Sequence, residues 1–159
     1  MALELELRIE KLQQDSPALF ELAKWFHAEW GHYHPGQELE GRVADTKKLC
    51  NHDKLPTTWV AYRGEELVGS VALTYDDLPT RPALNPWLAS FYIKKELRGA
   101  GIGSKLFQYV MEEAPRMGIK DLYLYTHDRE TMYARFGWKV MERTNFCGDD
   151  IAVMHYRFE

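Results

Sequence analysis

Three glycines within five positions, Gly99, Gly101 and Gly103, separate an aromatic and β-branched run from an amphipathic one, and this restricts the fold more than any other stretch. The run before them, Trp87 to Ile93, predicts a buried strand. After them Ile102, Leu106, Phe107, Val110, Met111 and Ala114 recur at helical spacing. Strand, glycine turn and helix together make an anion site. Glycine lets backbone N–H groups close around an anion, and a helix start adds about half a positive charge.

Two phosphate-binding signatures fail on these residues. The dinucleotide pattern needs a third glycine where Ser104 stands, and an acidic residue closing the next strand, whereas Asp121 precedes that strand. The nucleoside-triphosphate loop needs Gly-Lys-Ser/Thr, and Ser104-Lys105 has the wrong order and spacing. The pattern that fits is R-x-x-G-x-G, as Arg98-Gly99-Ala100-Gly101-Ile102-Gly103. It resembles the acetyl-CoA loop of the GCN5-related N-acetyltransferase (GNAT) superfamily. Downstream, Met132-Tyr133-Ala134-Arg135-Phe136-Gly137-Trp138 is similar to that family's Y-x-x-x-G-[FYW] segment, and Arg98 and Tyr133 lie 35 positions apart, room for a helix and a strand. The resemblance spans about residues 57 to 143.

The elements predicted by patterning follow in order. Leu3, Leu5, Leu7 and Ile9 alternate with charged residues as in a half-buried strand. Ser16-Pro17 starts a helix carrying Leu19, Ala23, Phe26 and Trp30 on one face, ended by Gly31. A second helix is expected from Leu39 to Asn51, its inner stripe Leu39, Val43, Thr46 and Cys50. Thr57–Arg63 and Leu67–Tyr75 read as a hairpin, with Gly69 marking a close backbone approach or a bulge. Asp76 to Pro86 is a loop, and Pro115 and Gly118 are expected to end the helix after the glycine turn. Leu122–Thr126 is a strand, Arg129–Phe136 a short helix, and Trp138–Arg143 and Ile151–Phe158 a closing pair joined through Gly148-Asp149-Asp150. This order matches that of the GNAT fold. The resemblance implies an α/β fold: a mixed, mostly antiparallel sheet of about seven strands with about four helices. It also implies a splayed central strand pair, here Trp87–Ile93 and Leu122–Thr126, with the pantetheine arm in the gap.

At 159 residues the chain is expected to form one domain, residues 1–159. A net charge of −4 argues against nucleic acid as the main partner, and fits a cationic amine only weakly. No apolar run is long enough for a transmembrane helix, and the first residues do not read as a signal peptide. A cytoplasmic location is expected, with Cys50 and Cys147 as reduced thiols. A homodimer is left open.

The resemblance implies an acyltransferase that moves an acetyl group from acetyl-CoA directly to a primary amine of a small molecule. Other acceptors, a protein N-terminus or a lysine, and a non-catalytic CoA-binding sensory domain stand as alternatives. Arg98, Gly99, Ala100, Gly101, Ile102, Gly103 and Ser104 would bind pyrophosphate. The backbone around Phe91, Tyr92 and Ile93 would pair with pantetheine, and a bulge on that strand would offer an N–H to the oxyanion. Tyr133 matches the motif tyrosine, and a phenol near 10 can protonate a thiolate near 8.5 as it leaves.

A base is harder to read, because Trp87-Leu88-Ala89-Ser90-Phe91-Tyr92-Ile93 lacks the glutamate that members of the family often carry there. Candidates are Asp76, Asp77, Asp128, Glu29, His32, His34 and, best placed behind a cleft strand, His127. A water relay is a further route. His32 and His34 alternate like a metal pair, but no third ligand completes them and no metal is expected. Trp25, Trp30, Tyr33, Trp59 and Trp87 read first as core residues, and Trp30 to His34 correspond to the loop over the family's acceptor site.

Overall fold

The computed structural model describes residues 6–159, so Leu3 and Leu5 of the expected first strand lie outside the described residues. Seven strands form one sheet: β1 (Leu7–Lys11), β2 (Thr57–Arg63), β3 (Glu66–Thr74), β4 (Trp87–Ile93), β5 (Asp121–Thr126), β6 (Lys139–Phe146) and β7 (Asp149–Arg157). Four helices accompany them: α1 (Ala18–Trp30), α2 (Leu39–Lys48), α3 (Ile102–Arg116) and α4 (Glu130–Arg135). The strand order is β1-β2-β3-β4-β5-β7-β6, and among the described residues only β4 and β5 run parallel. This is the mixed, mostly antiparallel sheet that the resemblance implies.

Alternation along β2 shows why helices cover both faces. Val60 packs with Leu19, Leu22 and Phe26 of α1, whereas Trp59 and Ala61 pack with Leu106, Phe107 and Val110 of α3. Ser16 opens α1 as its position suggests, its hydroxyl accepting the Ala18 N–H at 3.1 Å. Pro115 does not stop α3, which runs one residue further, to Arg116. Pro115 cannot donate to the Met111 carbonyl four residues back, so it costs one ladder bond, and the helix ends one residue later. The expected second helix is shorter, ending at Lys48. The closing hairpin turns on Cys147-Gly148, both at positive φ, so Asp149 already belongs to β7.

The parallel pair is barely a pair. β4 and β5 share the register Trp87↔Tyr123, and the Tyr123 N–H donates to the Pro86 carbonyl at 3.1 Å. Beyond that point the strands part. On its other side β4 breaks register with β3 between the pairs Ser70↔Tyr92 and Ala72↔Ala89, so Val71 faces two residues, Ser90 and Phe91. Ser90 sits at φ 52°, and its carbonyl accepts a 2.8 Å bond from the buried Ser70 hydroxyl. This bulge moves Phe91 to the α3 face beside Leu88 and leaves Tyr92 on the α1 face, the reverse of what strict alternation from Trp87 would give.

Candidate active site

Between the diverging strands lies a cleft of about 530 Å³. Leu88 to Ile93 of β4 and Leu124 to Thr126 of β5 line it, as do Arg98, Gly99, Gly101, Gly103 and Ser104 of the glycine turn. Two sequence-predicted positions do not: Ile102 is buried in the α3 core, and Ala100 is exposed on the turn. Gly99 and Gly101 both sit at φ 86°, and Gly101 caps α3 in the left-handed conformation. Only glycine adopts that backbone freely, so the turn presents peptide rather than side chains at the helix start.

Arg98 is tied down on the protein side. Its Nε donates to the Ile93 carbonyl at 2.9 Å, its guanidinium lies 5.1 Å from the Tyr92 ring centre, and Glu29 stands 3.9 Å away. Tyr92 is in turn stacked on Trp25 at 5.3 Å and met edge-on by Trp30 at 5.9 Å. The expected aromatic group is thus divided. Trp25 and Trp30 hold Tyr92, Tyr33 packs on Phe146 and Tyr125, and Trp59 and Trp87 are core.

Tyr133 comes from α4 and lines the cleft with 7% of its surface exposed. Phe91, Phe107 and Trp138 surround its ring, with centroids 5.6 to 6.4 Å away. Burial pushes its phenol well above the ordinary tyrosine value, so it keeps its proton across the physiological range. The Thr126 hydroxyl fixes the approach to α4 by accepting the Arg129 N–H at 3.0 Å.

The candidate bases divide. Asp76 is exposed and lies outside the cleft lining, while His32 is drawn to Asp149 at 2.8 Å. Tyr33 donates to the same Asp149 oxygen at 2.7 Å, so the Gly31–Tyr33 turn is pinned to the start of β7. His32 and His34 thereby turn to different partners, the second to Arg42 at 3.2 Å. His127 reaches the cleft with its side chain 41% exposed, 3.6 Å from Asp128. Asp77 lines the cleft more deeply. Its carboxyl is pushed up to about 6, because burial outweighs the attraction of Arg42. The loop that carries it is anchored by the fully buried Leu78 and by Arg81, which grips Glu142 through two bonds of 2.7 and 2.6 Å.

Sequence reasoning missed Arg42. It stands on α2 one position from the expected inner stripe, one of 20 basic residues, and nothing in its neighbours distinguishes it. In the fold its guanidinium reaches the cleft, 5.3 Å from the Phe26 ring centre, and burial lowers its pKa from the ordinary arginine value. Its Nε is buried without a hydrogen-bond partner among the described residues.

The site's chemistry follows from these pieces. A glycine turn can receive an anion, a bulged strand opens onto a gap, a protonated phenol faces that gap, and a carboxyl near 6 can take a proton at neutral pH. Residues 17–138 match the family model described as Acetyltransferase (GNAT) family. The chain is 29% identical over 118 residues to the Bacillus subtilis (strain 168) protein YwnH, provisionally named a phosphinothricin acetyltransferase, covering 66% of this chain and 68% of that one. An aminoglycoside 6'-N-acetyltransferase solved with coenzyme A superimposes with a TM-score of 0.73 at 15% identity, over 94% of this chain and 96% of that one. A GNAT-family acetyltransferase from Streptococcus pneumoniae gives 0.70 at 18%, over 97% and 100%. At such identities the two structures speak for the fold alone, whereas the family match covers most of the sequence. The chain belongs to the acetyltransferase (GNAT) family.

Proposed function

We propose that this protein transfers an acetyl group from acetyl-CoA to the primary amine of a small molecule. The observation that carries this reading is the shared cleft: the glycine turn, the β4 bulge, Tyr133 and Asp77 all line one space. The relative named for phosphinothricin supports a small acceptor.

When bound, acetyl-CoA supplies a thioester whose carbonyl accepts the amine and whose thiolate departs. The N–H groups of Gly99 to Ser104 and the α3 start receive pyrophosphate, which suits a turn free of acidic side chains in the first helical turn. Backbone of Phe91 to Ile93, freed from β5 by the splay, pairs with the amide-bearing arm. The bulge at Ser90-Phe91 aims a backbone N–H at the carbonyl oxygen, where charge develops. Asp77 takes the proton of the incoming ammonium, with His127 as the other proton acceptor on the same cleft, and Tyr133 gives its proton to the departing sulfur. One domain carries all of these parts.

The test has two arms. Acetyl-CoA should raise the melting temperature of the free protein, and a panel of small amines should include at least one that releases CoA thiol faster than water does. No thermal shift with acetyl-CoA would overturn the donor assignment. A shift without thiol release for any amine, but with release for peptides, would overturn the small acceptor.

A further inference from the structure

We propose that Arg42 receives an oxyanion carried by the acceptor, so that the substrates are small amino acids or their analogues: primary amines that also bear a carboxylate or a comparable acid group. The inference rests on the acyltransferase reading above and adds the class of acceptor.

It starts from two opposite charges that share a cleft without pairing. Arg42 and Asp77 both line it, yet no ion pair joins them among the described residues. The carboxylates near Arg42 do not satisfy it. Asp45 accepts from Gln37 at 2.8 Å and faces Lys48 at 3.8 Å. Among the described residues the one side-chain hydrogen-bond partner of the guanidinium is His34, a neutral-capable ring at 3.2 Å from Nη1, and Phe26 covers a face. A guanidinium has five donors in a planar fork shaped for a carboxylate or phosphinate. Asp77 and Asp45 attract it from a distance but neither fills that fork, so the half-buried guanidinium favours an oxyanion that does.

Asp77 presents the complementary need, since its carboxyl makes no hydrogen bond within the described residues. A ligand with an ammonium and an oxyanion a few bonds apart answers both groups at once. The amine goes to Asp77, where its proton can be removed, and the acid group goes to Arg42, which fixes which end of the molecule points into the splay. The overall charge of −4 fits a cationic acceptor only weakly, and the residue that the acceptor meets on α2, Arg42, is positive. A plain polyamine would place a second cation against Arg42.

The experiment uses L-α-amino acids, each beside its carboxamide and its decarboxylated amine, with thiol release for kcat/KM and calorimetry in the presence of CoA for Kd. The carboxylate member should be favoured by about tenfold or more, the scale of one charge-assisted fork. In Arg42→Gln that ratio should fall to about one, and Arg42→Lys should keep part of it, with circular dichroism melts showing both variants folded. Carboxamides or bare amines that do equally well, or a preference that persists in Arg42→Gln, would overturn the proposal. So would a preference confined to tripeptides with an acidic first residue, which would place a peptide in the site. Stabilisation by acetyl-CoA with no preference for the acid group sinks this inference alone, whereas absence of that stabilisation sinks the donor assignment on which it rests.

Discussion

The Ser70 hydroxyl donates a 2.8 Å hydrogen bond to the carbonyl of Ser90, across the point where β4 breaks register with β3. Ser70 is fully buried, and Ser90 holds a left-handed φ of 52° that a side chain adopts at a cost. One bond therefore holds the kink that separates the faces of Phe91 and Tyr92. Ser70→Ala should lower stability by about 0.5–1.5 kcal/mol, because a part-buried carbonyl loses its partner. Ser90→Gly should be neutral or raise stability by up to about 1 kcal/mol by relieving the φ strain. Urea unfolding of both variants checks the pair, and a stability loss in Ser90→Gly would show that the backbone there is not strained.

The glycines around the cleft differ in what they forbid. At Gly101 the restriction is φ, so Gly101→Val should weaken acetyl-CoA binding tenfold or more, as the turn must rearrange before it can receive an anion. At Gly69 the restriction is space: a Cβ would stand 2.9 Å from the Tyr92 carbonyl oxygen and 2.8 Å from Ile93 Cδ1. Gly69→Ala should force β3 from β4 and cost about 1–3 kcal/mol. Gly103 has neither restriction, since a Cβ there meets Ile93 and Phe91 at 3.5 and 3.6 Å, so Gly103→Ala should fold as the parent does. Melting curves for the three variants, with and without acetyl-CoA, separate these outcomes.

Asp77 gives a pH dependence with a definite sign. Its carboxyl titrates near 6 in the fold against 3.8 in the open chain, so between those values the folded state binds more protons than the unfolded one. Stability therefore falls as pH rises through that window, and at neutral pH the ionised, half-buried carboxylate is a net burden of the order of 1–3 kcal/mol. Asp77→Asn should remove the slope and leave a protein more stable at pH 7 than its parent. As the base, Asp77 should also set the acid limb of the kcat/KM profile near pH 6, and that limb should flatten in Asp77→Asn. If His127→Gln flattens it instead, the proton goes to His127.

How much of this was legible in the sequence depends on the range of the cause. Glycine spacing and the strand-forming runs around Gly64 are local, and they predicted the turn before α3, the hairpin and, at Gly69, a close approach or a bulge. Tyr133 followed from the resemblance of its segment to the family motif, and it does line the cleft. Asp77 was only one acid among several, because its raised pKa comes from a loop held by Leu78 and the Arg81–Glu142 pair, contacts up to 61 positions apart. Arg42 was invisible for the same reason. Its meaning comes from Phe26, His34 and Asp77, which only the folded chain, with α2 packed on α1, brings near it.

Tyr133 decides between a proton donor and a packing residue. Its ring touches Phe91, Phe107 and Trp138, and its hydroxyl makes no hydrogen bond within the described residues, so a structural task for the oxygen is not evident from its surroundings. Replacing it by Phe removes the hydroxyl and keeps the ring contacts, so stability should stay within about 0.5 kcal/mol or rise slightly. Acetyl-CoA should bind as before. The chemical step should slow about a hundredfold or more, the usual size of a general-acid contribution, because the thiolate must leave unprotonated. The loss should fall on kcat, since the proton moves only as charge develops on sulfur. Single-turnover transfer measured with a reactive amine reads the chemical step directly. A Tyr133→Phe variant that folds, binds acetyl-CoA and transfers acetyl at the parental rate would reduce Tyr133 to core packing and leave proton delivery to water.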